Sequence, residues 1–230
     1  DVLIEASHKE QTLLQYMERL NQVDLQIGKL ISYLKNTGQY DNTQLLITGD
    51  HGSFIPPWGF KERYAFYENH IRVPFISTVP NWSSLSPELI ETPFNASINI
   101  SKTILDSLNI DYPDYFSSLP QNQHKYKDCS ITETLMHPTP EDYAVTIVSN
   151  EYKYVLFGKV DWKESRFKCM EGERLYKINI QTGYVDESRT VDSELPLIIE
   201  KYRQLSLDFI QENLDFHSRF PTGNIRNNSI

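Results

Sequence analysis

One stretch near the start of the chain constrains the fold most: a helix followed, after a short turn, by a continuously apolar strand. Between Gln11 and Lys35 apolar residues recur every three or four positions, which predicts an amphipathic helix of about six to seven turns. Gly38 stands where a glycine commonly ends a helix. The run Gln44–Thr48 is apolar enough for a buried strand of a parallel sheet. Helix, turn and buried strand together form half of a β-α-β unit.

The next hundred residues alternate between broken and regular segments. Ser53–Phe66 is rich in proline, glycine and aromatic residues and is predicted to be a loop. Ile71–Val79 is predicted to be a second buried strand, in which Pro74 favours an edge position, a bulge or a late start. Ser97–Leu108 is predicted to be a short helix, and Pro113–Ser130 to be irregular.

The character of the sequence changes after about residue 130. Tyr143–Ser149 and Tyr152–Phe157 are separated by two residues and predict a hairpin. Arg174–Ile180 predicts a third alternating strand, followed by a turn at Thr182 and Gly183. Glu194–Asn213 has one apolar face and predicts a terminal helix.

These elements place the chain in the α/β class. Residues 1–130 are expected to form part of a parallel sheet with flanking helices. Residues 131–230 are expected to form a small antiparallel sheet packed on the C-terminal helix. The two patterns predict a division of the chain near residue 130.

Composition excludes several classes of function. Lys and Arg number 22 against 31 Asp and Glu, a net charge of −9, which argues against a protein that binds a nucleic-acid duplex. A local basic pocket for an anion remains compatible with this charge. No apolar run reaches the roughly 18 residues of a membrane-spanning helix. Asp1–Lys9 does not resemble a signal peptide, and the start without Met leads us to expect a piece of a longer protein.

The two cysteines say little about function. Cys129 and Cys169 lie 40 residues apart and match no metal-binding or redox spacing. Two buried thiols are expected, and a disulfide in an oxidising compartment is the alternative.

Asp50 and His51 are the sharpest candidates for chemistry. They follow the predicted strand directly and stand between Gly49 and Gly52. In open α/β sheets ligands bind at the carboxyl ends of strands. A carboxylate and an imidazole placed there can reach one divalent cation, which predicts a metal site for Ca, Mg or Mn, with Zn less favoured. The alternative is a turn in which Asp50 caps the backbone and His51 is solvated.

Two ligands do not complete a metal site. No partner carboxylate cluster is evident elsewhere in the sequence, so the metal binds weakly or its other ligands lie on sequence outside this chain. Lys61 follows in the aromatic loop and could stabilise the charge of a tetrahedral anion; the alternative is a solvated surface lysine. His70 precedes the second strand and either hydrogen-bonds locally or approaches the site. Lys61 and His70 are therefore the candidate catalytic residues.

At this point the order of the motifs resembles the sulfatase branch of the alkaline phosphatase superfamily. The segment Tyr67–Ile76 is similar to the sulfatase segment usually written YEEGIRVPLI, and Glu173–Ile178 is similar to the family's ELYDL strand. The other segments that carry the resemblance, in chain order, are Val23–Gly28, Gly38–Thr43, Gly49–Gly52 and Lys102–Asp106.

The resemblance implies the C-terminal portion of an enzyme with an alkaline-phosphatase-like fold that hydrolyses sulfuric esters. It implies Asp50 and His51 as metal ligands and Lys61 as the lysine that contacts the sulfate or phosphate group of a small-molecule or glycan ester. The family's nucleophile and first acidic ligands lie in its N-terminal half, so the isolated chain is expected to be inactive. A secreted, periplasmic or lumenal location is expected. Gly49 and His70 depart from the usual residues of the family.

Two alternatives remain open. A phosphoglycerol or phosphoethanolamine transferase of the same superfamily suits Gly49–Gly52 at least as well, whereas Tyr67–Ile76 suits a sulfatase better. The other alternative is a non-catalytic interaction domain derived from this fold. Half of an α/β sheet leaves apolar surface exposed, which a second copy of the chain or the missing N-terminal half would cover.

Overall fold

The computed structural model describes residues 2–52, 66–77, 100–101, 104–105, 107–111, 129–135, 142–179, 181–182, 184–187, 189–191 and 195–219. The chain divides into two compact units. The first comprises Asp1–Arg63 with Asn69–Trp82, and the second comprises Tyr64–Glu68 with Ser83–Ile230. The division near residue 130 that the sequence suggests stays a prediction.

The first unit begins with helix α1, Val2–Asn36, which starts nine residues earlier than the apolar periodicity predicts. Its first residues lack the apolar repeat but contain no glycine or proline to interrupt a helix. The helix ends as predicted at Gly38, whose φ is 68°. The Gln39 N–H donates to the Leu34 carbonyl at 2.9 Å, and the Gly38 N–H donates to the Lys35 carbonyl at 3.2 Å. This pair of bonds is the Schellman arrangement, which requires a left-handed residue and therefore favours glycine.

The apolar side chains of α1 are largely exposed. Among the described side chains of this helix, Leu34 alone is buried. The exposed large apolar residues of α1 are Leu13, Leu14, Met17, Leu20, Val23, Leu25, Leu30 and Tyr33. The predicted amphipathic helix is thus present, but the described part of its own unit does not cover its apolar face.

A short strand pair follows α1. After a 3-10 turn at Tyr40–Asn42, strand β1 (Leu46–Thr48) pairs with β2 (Phe75–Ser77). The pairing is antiparallel and β1 is only half-buried. The sequence predicted a buried strand with parallel neighbours, and for this described pair that prediction is wrong. An apolar run indicates that a strand is suited to burial, but it does not predict whether the neighbouring strand is parallel or antiparallel.

The segment before β2 is helical. Helix α2 covers Glu68–Ile71, so the predicted strand Ile71–Val79 begins only at Phe75. Pro74 precedes the first paired residue, and the late start that it favours is the outcome observed. Near the predicted helix Ser97–Leu108, the described positions 100, 101, 104, 105 and 107 are helical.

The second unit contains an antiparallel sheet in the order β3-β4-β5-β6-β7 and a long C-terminal helix, α3, Pro196–Arg219. The predicted hairpin, third strand and terminal helix are confirmed. The strands are β3 (Ser130–Leu135), β4 (Asp142–Val148), β5 (Tyr152–Asp161), β6 (Arg166–Asn179) and β7 (Tyr184–Val185).

The sheet buries side chains on both faces. One face packs with α3 through residues that include Tyr154, Leu156 and Tyr202. The opposite face carries a smaller cluster of Phe66, Val155, Tyr176, Ile178 and Val185. Alternate residues of a strand point to opposite faces, so neighbouring residues such as Tyr154 and Val155 serve different clusters. This double burial explains why β4 and β5 are almost continuously apolar.

Cys129 and Cys169 do not form a disulfide in this structure. Cys129 is half-buried, but Cys169 is exposed on β6, so the expectation of two buried thiols is wrong for Cys169. The residues of β6 on either side of Cys169 are mostly exposed, which is why its thiol is exposed as well.

Among the described helices, none combines the length and apolar character that crossing a bilayer requires.

Candidate active site

The candidate site is the loop Gly49–Gly52, which follows β1 directly. Gly52 lies against the backbone of α2: its N–H donates to the His70 carbonyl at 2.7 Å. A Cβ at position 52 would lie 2.0 Å from the Asn69 carbonyl oxygen, a separation at which atoms overlap. Glycine is therefore required at position 52 by this close approach.

Asp50 and His51 project from the loop into solvent. The Asp50 side chain is 90% exposed and that of His51 is 54% exposed. The His51 backbone N–H donates to Asp50 Oδ1 at 2.9 Å, which orients the carboxylate toward its neighbour. Asp50 Oδ2 lies 3.7 Å from His51 Nε2. The two side chains thus share one side of the loop and remain accessible to a ligand.

A second hydrogen bond decides which ring nitrogen of His51 is free. Nδ1 lies 2.7 Å from the Gly52 carbonyl oxygen. A carbonyl can only accept, so in the neutral imidazole Nδ1 carries the proton and Nε2 carries the lone pair. An imidazole whose other N–H donates to a backbone carbonyl is the usual form of a histidine that binds a metal.

The chemistry of these two groups fits a divalent cation. Asp50 Oδ2 and His51 Nε2 each offer a lone pair, and at 3.7 Å they are too far apart to hydrogen-bond to each other. Metal bonds of about 2.1 Å from each ligand can span this separation. In the described part of the chain, no three residues among His, Cys, Asp and Glu are grouped to hold a metal ion. The described residues thus supply two ligands.

The structure brings His70 to the same loop. Its ring stacks on that of His51, with 4.9 Å between the ring centroids and an angle of 10° between the planes. Of the four predicted site residues, Asp50, His51 and His70 therefore lie together. Lys61 lies outside the described residues.

The second unit contains a buried charged cluster that was not predicted from the sequence. The side chain of Lys153 is fully buried, and its Nζ lies 3.1 Å from Glu68 Oε1 and also contacts Glu187 Oε1. Glu187 in turn accepts the backbone N–H of Glu68. Burial raises the pKa of the Glu187 carboxyl, against the opposing effect of Lys153. A lysine within the apolar run of β5 was the available signal, because an unpaired lysine is seldom buried.

Comparison with known proteins shows what the first part of the chain is similar to. The sulfatase family model matches residues 4–110. An N-acetylglucosamine-6-O-sulfatase of Bacteroides thetaiotaomicron is 27% identical over 104 residues, which are 45% of this chain and 18% of that protein. An extracellular sulfatase SULF-1 homologue of Drosophila melanogaster is 27% identical over 100 residues, 43% of this chain and 9% of that protein.

A further relative is the inner membrane protein YejM of Salmonella typhimurium, 29% identical over 73 residues, which are 32% of this chain and 12% of that protein. The matched regions thus span less than a fifth of each of these relatives.

Solved structures share the fold. A candidate sulfatase of Bacteroides thetaiotaomicron superposes with a TM-score of 0.56 at 19% identity, covering 86% of this chain and 42% of that one. The candidate sulfatase yidJ of Bacteroides fragilis gives 0.52 at 19% identity, covering 85% of this chain and 41% of that one. At this identity the likeness establishes a sulfatase-type α/β fold. It also extends beyond residue 110 into the second unit.

Proposed function

We propose, on the premise that residues 4–110 are a sulfatase-family segment, that this chain is part of a metal-dependent enzyme that hydrolyses sulfuric esters. The observation that carries the proposal is the pair Asp50 and His51. They offer two exposed lone-pair donors 3.7 Å apart, directly after a strand and within the family segment. The substrate class is a sulfate ester of a small molecule or a glycan.

Each candidate residue has a distinct role in this proposal. Asp50 would bind the cation through a charged oxygen, and His51 would bind it through the neutral Nε2. A divalent cation held there would supply Lewis acidity toward an oxygen of the ester. Lys61 would contact the sulfate group and balance the negative charge that develops on its oxygens. His70 would belong to the site, and its ring contact with His51 supports this role.

The remaining ligands and the nucleophile are proposed to lie on sequence outside this chain. The solved relatives are more than twice as long as the part that this chain covers, and the apolar face of α1 is exposed. An apolar face of this kind ordinarily packs against another element. We therefore expect no turnover from the isolated chain, and we expect the rest of the enzyme, or alternatively a second copy of the chain, to cover α1.

The test uses the full-length protein that contains this chain. Sulfate release from 4-nitrophenyl sulfate is measured with Ca²⁺, Mg²⁺ or Mn²⁺ for the wild type, for Asp50→Asn and for a control, Asp41→Asn. Asp41 is an exposed aspartate of the 3-10 turn that precedes the same strand. Asp50→Asn should lower kcat/KM at least about a hundredfold, a loss of roughly 2.7 kcal/mol of transition-state stabilisation, and the control should not. Equal activity of the two variants would remove Asp50 from the site.

A phosphoglycerol or phosphoethanolamine transferase of the same superfamily is the second candidate. The match to YejM supports this alternative, because that relative is named an inner membrane protein and not a sulfatase. The same preparation assayed with a phosphodiester such as bis(4-nitrophenyl) phosphate separates the two. Faster turnover of the sulfate ester supports the sulfatase, and faster turnover of the phosphodiester supports the transferase.

A non-catalytic interaction domain predicts a different result. Calorimetric titration of the full-length protein would then show no binding of Ca²⁺, Mg²⁺ or Mn²⁺ at millimolar concentration.

The proposed location is secreted, periplasmic or lumenal. The names of the extracellular Drosophila relative and of the inner membrane protein YejM support a site of action outside the cytosol.

A further inference from the structure

The ring of His70 covers one face of His51, the proposed metal ligand. The two ring planes differ by only 10°, and their centroids are 4.9 Å apart. An exposed histidine on a loop normally samples several side-chain rotamers. The His51 side chain is 54% exposed, so its own loop restricts it mainly through the contact of Nδ1 with the Gly52 carbonyl. A flat partner on one face removes the rotamers that would swing the ring away from Asp50.

The backbone fixes the distance between the two rings. The Gly52 N–H donates to the His70 carbonyl at 2.7 Å, and the Gly52 carbonyl lies 2.7 Å from His51 Nδ1. His51, Gly52 and His70 are therefore joined by two consecutive hydrogen bonds in addition to the ring contact. Stacking on His70 fixes the plane of the His51 ring. The hydrogen bond from Nδ1 to the Gly52 carbonyl fixes the rotation of the ring within that plane.

The geometry also argues against His70 as a ligand of the same cation. The lone pair of an imidazole lies in the plane of its ring. Two rings stacked at 10° have nearly parallel planes that do not meet near either nitrogen, so one ion cannot lie in both planes. His70 therefore touches the ligand and not the cation.

We propose that His70 is a positioning residue that holds the His51 ring in the orientation in which Nε2 faces Asp50. This inference rests on the proposed function, since it assigns His51 as a ligand, and it adds how that ligand is kept in place. Loss of a group that orients a metal ligand typically weakens metal binding about 10- to 100-fold. A flat aromatic ring without nitrogens should replace His70, whereas a methyl group should not.

The experiment compares His70→Ala with His70→Phe in the full-length protein that contains this chain, because the remaining ligands are proposed to lie outside the chain. Asn69→Ala is the control on an exposed residue of the same helix. Two quantities are measured at one pH. The first is the NMR shift of His51 Hε1 without metal, which responds to the ring current of a stacked neighbour. The second is the apparent Mn²⁺ affinity from the paramagnetic broadening of that signal.

His70→Ala should move the Hε1 signal and weaken Mn²⁺ binding about tenfold, whereas His70→Phe and Asn69→Ala should bind Mn²⁺ within about twofold of the wild type. An unmoved Hε1 signal in His70→Ala overturns the proposal. So does equally weak binding by His70→Phe and His70→Ala, because a His70 nitrogen would then be needed.

Failure of the proposed function gives a different pattern. If Asp50→Asn leaves Mn²⁺ broadening unchanged, or if the wild type shows none, the metal site is refuted. The Hε1 shift still decides whether His70 orients His51, since this signal is read without metal.

Discussion

Replacing Lys153 by Met is expected to destabilise the second unit strongly. Met keeps the length and much of the alkyl chain of Lys but removes the ammonium group that contacts Glu68 and Glu187. Two carboxylates would then share a largely buried site without a cation. A buried charge whose partner is removed keeps its desolvation penalty and loses the attraction that offsets it.

The magnitude follows from the burial of the three groups. The Lys153 side chain is fully buried, whereas those of Glu68 and Glu187 are 17% and 15% exposed. Breaking a buried pair costs about 3–5 kcal/mol, and the residual exposure of both glutamates favours the lower end, about 3 kcal/mol at pH 8. With an m-value of about 2–3 kcal/mol/M, the urea midpoint should fall by about 1–1.5 M.

The loss should shrink in acid. Burial already raises the pKa of Glu187, and removing Lys153 raises it further. A carboxyl whose pKa is raised in the folded state lowers stability above that pKa, and this penalty disappears as the pH falls below the unfolded value. The stability difference between wild type and variant should therefore be clearly smaller at pH 5 than at pH 8.

Urea unfolding followed by circular dichroism measures this difference at both pH values. Lys159→Met is the matched control, because Lys159 lies on the same strand, its side chain is 38% exposed, and it pairs with Asp142 and Glu171 at 3.6 and 3.4 Å. An exposed pair contributes less than about 1 kcal/mol. If Lys153→Met behaved like this control, or if its cost did not vary with pH, the argument from burial would be refuted.

Two further perturbations follow from the structure. Gly52→Ala should increase hydrogen exchange of the amide at position 52 at least tenfold, because a Cβ there overlaps the Asn69 carbonyl and breaks the hydrogen bond to the His70 carbonyl. Gly28→Ala meets nothing within 4 Å and should instead raise Tm, because alanine stabilises the helix by about 1 kcal/mol relative to glycine. Unchanged exchange in Gly52→Ala, or a lower Tm in Gly28→Ala, would contradict the assigned contacts. The hydrogen bond from Arg203 lowers the pKa of Glu173, so its contribution to stability is present above the ordinary pKa of a glutamate and is lost as the pH falls through the lowered value. Urea midpoints between pH 6 and pH 3 should therefore fall less steeply for Glu173→Gln than for the wild type, and parallel curves would show that the ion pair does not contribute.

The parts of the fold predicted from sequence are those determined by local rules. The end of α1 depends on one residue, Gly38, that tolerates positive φ. The hairpin of β4 and β5 depends on two largely apolar runs separated by a two-residue turn. These signals lie within a few residues of the feature they specify.

The extension of the β5-β6 hairpin was missed for an equally local reason. The strands continue to a turn at residues 162–165, in which Ser165 has a φ of 48°. Glycine or asparagine usually marks such a position, so a serine gave no turn signal. The neighbouring residues of β6 are mostly exposed, and they offered no apolar alternation either.

Long-range geometry could not be predicted from the sequence. Glu68 and Lys153 lie 85 residues apart and Lys153 and Glu187 lie 34 apart, so no local pattern brings the three together. The same limit applies to His70, for which the sequence allowed either a local bond or an approach to the site. Asp50 and His51 could be proposed early because they are adjacent residues directly after a strand. The antiparallel direction of β2 relative to β1 could not be predicted, because it is not encoded in the residues of either strand alone.

The most direct test of the central claim is anomalous diffraction at the manganese edge, on crystals of the full-length protein grown with Mn²⁺. The account predicts an anomalous peak within about 2.2 Å of an Asp50 carboxylate oxygen and of His51 Nε2. A Mn²⁺ peak held by other residues, or no peak near Asp50 and His51 at saturating Mn²⁺, would contradict it.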